Sequence, residues 1–302
     1  MIWLKRMTRS PRKIAGSHLD ALELSMPLFH SYFLKGAVAA LLLGWCVAAL
    51  AFDPVADMAV RYGAQVDRRL SVPAGEARHY GRLAGEALAK AGVTPAGPEY
   101  LVLVDRNPNI QALFVFFRSG DGESQLVGAS PVSTGRTGGF DHFETPQGVF
   151  AHTTANPDFR AEGTRNSEGL LGYGVKGMRI FDFGWQRVPK GWGNGAVSEM
   201  RLKMHATDPD LLERRLGSAQ SSGGIRIPAS LNRLLDHYGL LDADYERARR
   251  EGHKLRVLDS QSEPVPFPGR YLIVIDSGRE DRPEWSPGPY IPHRKPAVPE
   301  IR

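Results

Sequence analysis

The stretch Gln220–Pro228, QSSGGIRIP, combines two serines, two glycines and one arginine between apolar residues. This is the composition of an enzyme loop from which the reactive side chain is missing. A serine hydroxyl is a weak nucleophile that needs a neighbouring general base. The chain also contains His205, in the segment MHATDP, as a candidate pocket residue. The alternative interpretation is that the serines only bond the loop backbone and that the histidine is an exposed strand residue.

A third segment, Pro131–Phe150 (PVSTGRTGGFDHFETPQGVF), belongs with the histidine segment and the serine–glycine loop. In this combination the chain resembles the L,D-transpeptidase family, the YkuD-type domain of bacterial cell-wall enzymes. The resemblance covers residues 100–276, and it includes Asp105 in the opening strand and the closing strand YLIVID.

The resemblance implies a specific chemistry. In this family a cysteine thiolate attacks the carbonyl beside the third residue of a peptidoglycan stem peptide, and an amine of a second stem resolves the acyl-enzyme. No cofactor or metal is implied. His205 matches the base histidine, Ala206 supplies the backbone carbonyl that orients it, and N–H groups of the glycine loop hold the oxyanion.

The remaining motif positions match only in part. Ser221 matches the Ser/Thr of the family loop, Gly223 its glycine and Arg226 its polar residue, all on the substrate-binding side. Ser222 stands where the family has a second histidine, and Gly224 stands where it has the nucleophilic cysteine. The reactive position is therefore vacant.

Three functional hypotheses follow from this vacancy. The first is a catalytically impaired family member that still binds stem peptides. The second is an active transpeptidase or carboxypeptidase that uses another nucleophile, such as Ser221 or Ser222, or a parent sequence with cysteine at position 224. The third is a non-catalytic envelope scaffold that binds another protein.

Composition excludes several other classes. The net charge of +5 is modest and concentrated at the chain ends, so nucleic acid is not a predicted partner. Cys46 is the one cysteine, which excludes disulfides. His142 and His152 do not have ligand-type spacing with His205, so no metal site is predicted.

The apolar run Gly36–Phe52 follows a basic segment and carries no charge. It predicts a signal peptide cleaved after Ala49-Leu50-Ala51, or an uncleaved anchor, with Met26 as a possible start. Both versions place the rest of the chain in the periplasm or cell envelope, with the membrane contacted only through this segment.

The pattern of short β-rich runs predicts a mostly β (α+β) fold, and the resemblance implies the family β-sandwich with one or two packed helices. A small helical segment precedes it, because residues 53–92 have helical apolar spacing that ends at Gly92. The predicted division is 1–52 signal or anchor, 53–98 helical segment and linker, 99–277 transpeptidase-like domain, and 278–302 Pro-rich tail.

Two local patterns bear on the site. Residues 199–205, EMRLKMH, alternate, so Arg201, Lys203 and His205 are predicted to share the face opposite the apolar residues. Tyr173, Trp185 and Trp192, in the glycine-rich stretch before this strand, form either a lid over a glycan or peptide or a small satellite core. Arg136 and Asp141 are expected to be surface turn residues.

Overall fold

The computed structural model describes residues 52–288, and the predicted signal segment and the end of the Pro-rich tail lie outside them. This part of the chain forms two β-sheets and four α-helices. The helices are α1 (Pro54–Gln65), α2 (Ala74–Lys90), α3 (Ala229–His237) and α4 (Ala243–Arg250). The strands are β1 (Glu99–Asp105), β2 (Ala112–Arg118), β3 (Ser124–Pro131), β4 (Gly148–Ala151), β5 (Phe159–Arg160), β6 (Arg179–Pro189), β7 (Val197–Ala206), β8 (Ile225–Ile227) and β9 (Tyr271–Ile275).

The predicted helical stretch before the strands consists of two helices. Asp53 begins α1 by accepting hydrogen bonds from the backbone N–H groups of Val55 and Ala56, at 2.9 and 3.2 Å. The chain leaves the helical conformation at Val66, which is extended, and Pro73 precedes α2. Proline disfavours helix in the residue before it, so one continuous helix cannot form here.

One sheet has five strands in the order β3-β2-β1-β9-β4, and the other has four in the order β5-β6-β7-β8. Their facing sides enclose the main core, in which Val102 and Val115 of the first sheet meet Phe181 and Leu202 of the second. The predicted mostly β fold with packed helices is confirmed.

The five-stranded sheet is covered on its outer face as well. Tyr80 and Leu88 of α2 pack with Leu103 and Phe114 on that face. Burial of both faces explains why β1 is a continuous apolar run rather than an alternating strand. Asp105 ends β1 fully buried, accepts a hydrogen bond from the Tyr80 hydroxyl at 2.8 Å, and so has a structural role.

No helix within residues 52–288 is long and apolar enough to cross a membrane. The division of the chain at residues 98 and 277 stays a prediction.

Candidate functional site

The three segments singled out in the sequence meet in space. Ser133 and Arg226 exchange both backbone hydrogen bonds, each 3.0 Å long. The N–H of Ser221 donates to the carbonyl of Thr134 at 2.9 Å, which joins the serine–glycine loop to the chain after β3. Strand β8 pairs in parallel with β7, and this register places His205 opposite Arg226.

Thr145 and Gly135 hold this junction together. The buried Thr145 hydroxyl donates to the carbonyl of Gly223 at 2.7 Å and accepts the N–H of Gly135 at 2.8 Å. A Cβ atom at position 135 would lie 2.1 Å from the carbonyl oxygen of Phe143, so only glycine allows this approach.

A cavity of about 640 Å³ opens on the outer face of the four-stranded sheet, beside this junction. The predicted alternation of β7 is confirmed, since Met200, Leu202 and Met204 are buried in the core and the four side chains that alternate with them line the cavity. The polar and charged lining consists of Asp141, Glu199, Arg201, Lys203, His205, Ser221, Ser222 and Arg226.

The imidazole of His205 is 7 % exposed and is oriented by its own backbone neighbour. Its Nδ1 lies 2.7 Å from the carbonyl oxygen of Ala206. A carbonyl oxygen only accepts hydrogen bonds, so Nδ1 carries the proton and Nε2 holds the lone pair. The ring of Tyr173 packs edge-on against the imidazole, with a centroid distance of 4.6 Å.

Burial lowers the pKa of His205 to about 4, and the positive charges of Arg226 and Lys203 act in the same direction, against the hydrogen bond to Ala206. The imidazole is therefore neutral at pH 7. Between pH about 6.5 and about 4 the unfolded chain binds a proton that the folded chain does not, so stability falls as pH falls through this window.

We expect an NMR titration of the full-length protein to show His205 unprotonated above pH about 5. A His205→Gln variant should lose less stability than the wild type between pH about 6.5 and about 4, because it lacks this titrating group. A His205 signal that titrates near the ordinary histidine value would contradict the buried, neutral imidazole.

Position 224 faces the lone pair of His205. A Cβ atom built on Gly224 lies 3.7 Å from Nε2 of His205 and 3.0 Å from the carbonyl oxygen of Lys203. The backbone of Gly224 is outside the positive-φ region that favours glycine. A side chain at this position therefore requires a shift of only a few tenths of an ångström in its neighbour.

The two serines of the loop differ in their surroundings. Ser221 is buried, donates from its hydroxyl to the carbonyl of Gly224 at 2.5 Å, and accepts the N–H of Gly223 at 3.1 Å. Its hydroxyl is thus occupied by the loop. Ser222 is exposed and lines the cavity, and its hydroxyl has no hydrogen-bond partner among residues 52–288.

The cavity contains cations without acidic partners. Within residues 52–288 neither Arg226 nor Lys203 has a carboxylate within ion-pair distance, whereas Nε of Arg201 lies 2.7 Å from Oδ2 of Asp182. Burial, followed by repulsion from Arg215, lowers the pKa of Arg226. An anionic ligand group beside the guanidinium would favour its charged form and so act against both effects.

Of the three aromatic residues predicted to form either a lid or a satellite core, two line the cavity and one packs in the core. Tyr173 and Trp185 line the cavity, and both are well exposed. Trp192 instead packs edge-on against the buried ring of Phe143, with a centroid distance of 4.9 Å, and joins the main core.

Sequence reasoning missed part of the lining. Asp141 was expected only as a surface turn residue, and it is exposed in a turn but also borders the cavity. Glu199 was not predicted to line the cavity, although the alternation of β7 places it on the same face as His205. His152 lies away from the cavity in a buried ion cluster, and residues 52–288 contain no group of His, Cys, Asp and Glu arranged to hold a metal ion.

No family model matches the chain, and no curated protein matches it. A solved structure of the helical cell shape determining protein Pgp2 from Campylobacter jejuni is similar, with 14 % sequence identity and a TM-score of 0.29. The match covers 69 % of this chain and spans 58 % of the length of the Pgp2 chain. These comparisons do not show the family of this chain, and the resemblance to L,D-transpeptidases is one of motifs.

Proposed function

We propose that this protein is exported to the cell envelope and binds peptidoglycan stem peptides in the cavity around His205, without cleaving them. One observation carries the proposal. Position 224 points at the lone pair of a neutral, oriented histidine inside a charged cavity, and it has no side chain. The surroundings that a cysteine nucleophile uses are present, and the thiol is absent.

The residues present account for binding and orientation. Arg226 and Lys203 offer positive charge to the free carboxylates of a stem peptide, and Asp141 and Glu199 offer negative charge to an amino group. His205 can accept a proton at Nε2, but Gly224 has neither a proton to give nor an atom to attack with. The peptide is held beside His205, and no bond in it is broken.

A binding measurement tests this proposal. We expect calorimetric titration of the full-length protein, purified in mild detergent, to show saturable binding of a free tetrapeptide stem. Arg226→Gln should weaken this binding about tenfold or more, because it removes a cation that has no acidic partner within residues 52–288. Arg136→Gln is the matched control, since its exposed side chain does not line the cavity.

The other outcomes are informative as well. Equal binding by both variants and the wild type would place the peptide elsewhere on the protein. No binding together with a stably co-purifying protein would favour the scaffold hypothesis.

A second candidate function, cleavage through a serine, is supported by the exposed and unpartnered hydroxyl of Ser222 in the same cavity. An acyl adduct on the wild-type protein that maps to this residue would establish it and would overturn the non-cleaving assignment.

A further inference from the structure

Strand β6 contains a bulge that turns Trp185 out of the core. Phe181 and Phe183 alternate into the main core, and an uninterrupted strand would direct residue 185 to the same side. The pairing with β7 instead shifts by one residue between Asp182 and Trp185. The shift reverses the two faces, so that Val188 is buried in the core and Trp185 is on the cavity side.

As a result of this bulge, the side chain of Trp185 is largely exposed to solvent. Its indole is 63 % exposed, although tryptophan is one of the largest apolar side chains. The guanidinium of Arg201 lies 5.9 Å from the ring centre, and its Nε lies 2.7 Å from Oδ2 of Asp182. Bulges that re-aim a side chain are over-represented next to active sites, and here the bulge places an exposed indole in the lining of the cavity, where it is available to pack on a ligand.

The position of the Trp185 ring relative to His205 determines how long a ligand must be to contact both residues. Trp185 pairs directly with Arg201, which lies four residues before His205 on β7. At the rise of an extended strand this separation is about 13 Å. A ligand that places a reacting carbonyl beside position 224 and extends along β7 therefore reaches the indole after about three or four residues.

We propose that the indole of Trp185 binds the amino sugar to which a stem peptide is attached. This inference rests on the proposed function, which places the third-residue carbonyl of the stem beside Gly224. The three stem residues that end at that carbonyl span about 10 Å when extended, and the lactyl ether that joins the first of them to the sugar ring supplies most of the remaining distance. A ligand bound in this direction carries its pyranose ring to the level of Trp185.

The chemistry of the two rings is complementary. One face of a pyranose consists mainly of C–H groups, which pack on the apolar face of an indole, while the indole N–H can donate to a hydroxyl or acetamido oxygen. The guanidinium of Arg201 beside the indole supplies further donors for sugar oxygens. A free peptide makes none of these contacts.

Titration with two ligands tests this inference separately from the proposed function. The full-length protein is titrated with a free tetrapeptide and with the same tetrapeptide attached to its disaccharide. We expect the disaccharide form to bind wild type about tenfold more tightly, and Trp185→Ala to weaken the disaccharide form selectively, so that the two ligands bind this variant with similar affinities. Trp185→Phe should retain part of the preference for the disaccharide form.

Phe140→Ala is the matched control, because Phe140 is another exposed aromatic residue near the site that does not line the cavity. Equal affinities of the two ligands for the wild type, or equal weakening of both by Trp185→Ala, would overturn the proposal that Trp185 binds the sugar. Neither result would contradict the proposed binding of the stem peptide. Failure of both ligands to bind the wild type would overturn both proposals together.

Discussion

A Gly224→Cys variant is expected to form a covalent acyl adduct with a tetrapeptide stem, whereas the wild-type protein forms none. The cysteine Cβ would lie about as far from Nε2 of His205 as the 3.7 Å given by an ideal Cβ on Gly224. One further bond brings Sγ within reach of a hydrogen bond to that nitrogen. The variant would thus contain the nucleophile and base that acyl transfer needs, already oriented by the loop.

The chemical step is an exchange of one bond for another. His205 takes the thiol proton, the thiolate attacks the third-residue carbonyl, and a carbon–sulfur bond forms as the carbon–nitrogen bond to the fourth residue breaks. The proton passes from His205 to the departing amine, so the fourth residue leaves as a free amino acid. The protein gains the mass of the acyl tripeptide and loses one hydrogen atom.

Intact-protein mass spectrometry after incubation with the tetrapeptide measures this gain. Gly224→Ala is the matched control, because it adds the same Cβ without a thiol and should gain no mass. In the Gly224→Cys background, His205→Gln should slow the acylation by about 10²–10⁴-fold, the usual contribution of a general base. A cysteine variant that binds peptide but never acylates would show that the carbonyl is not held beside position 224.

Replacing Arg179 by methionine is expected to destabilise the fold by about 3–5 kcal/mol, the usual cost of removing one partner from a buried ion pair. The guanidinium of Arg179 is fully buried. Its Nε donates to Asp158 at 2.6 Å, and its two terminal nitrogens donate to Asp242 at 2.7 and 2.8 Å. His152 lies 2.9 Å from the same Asp158. Without the arginine, the buried carboxylates of Asp158 and Asp242 each lose a hydrogen-bonded cation.

Urea denaturation followed by circular dichroism measures the loss. Arg82→Met is the matched control, since Arg82 makes an exposed pair with Glu86 at 4.0 Å and its replacement should change stability by less than about 0.5 kcal/mol. If Arg179→Met costs no more than this control, water or other donors satisfy Asp158 and Asp242, and the cluster is not a stabilising element.

The local parts of the structure were predictable from the sequence. The alternation in β7 depends only on the two-residue period of a strand, and it separated Met204 from His205 correctly. The predicted strand at residues 199–205 and the closing strand YLIVID are present as β7 and β9, with ends that differ by one or two residues. The break between Gln65 and Ala74 was missed, because apolar spacing continues across it and its local sign is the proline that precedes α2.

The contacts within the site could not be predicted from the sequence and were found only in the tertiary structure. The motif resemblance predicted that the three segments belong together, but it did not reveal that Thr145 joins Gly135 to Gly223. The ion cluster also escaped the sequence, because His152, Asp158, Arg179 and Asp242 are separated along the chain and no local period connects them.

The sequence by itself determined that position 224 carries no nucleophile and that a histidine lies on the polar face of an alternating strand. Only the tertiary structure decided that this histidine is buried beside two cations, which lowers its pKa, and that a bulge in β6 turns Trp185 toward the cavity. Residue types and short periods are properties of the chain alone. Burial, charge proximity and strand register depend on which distant segments the fold brings into contact.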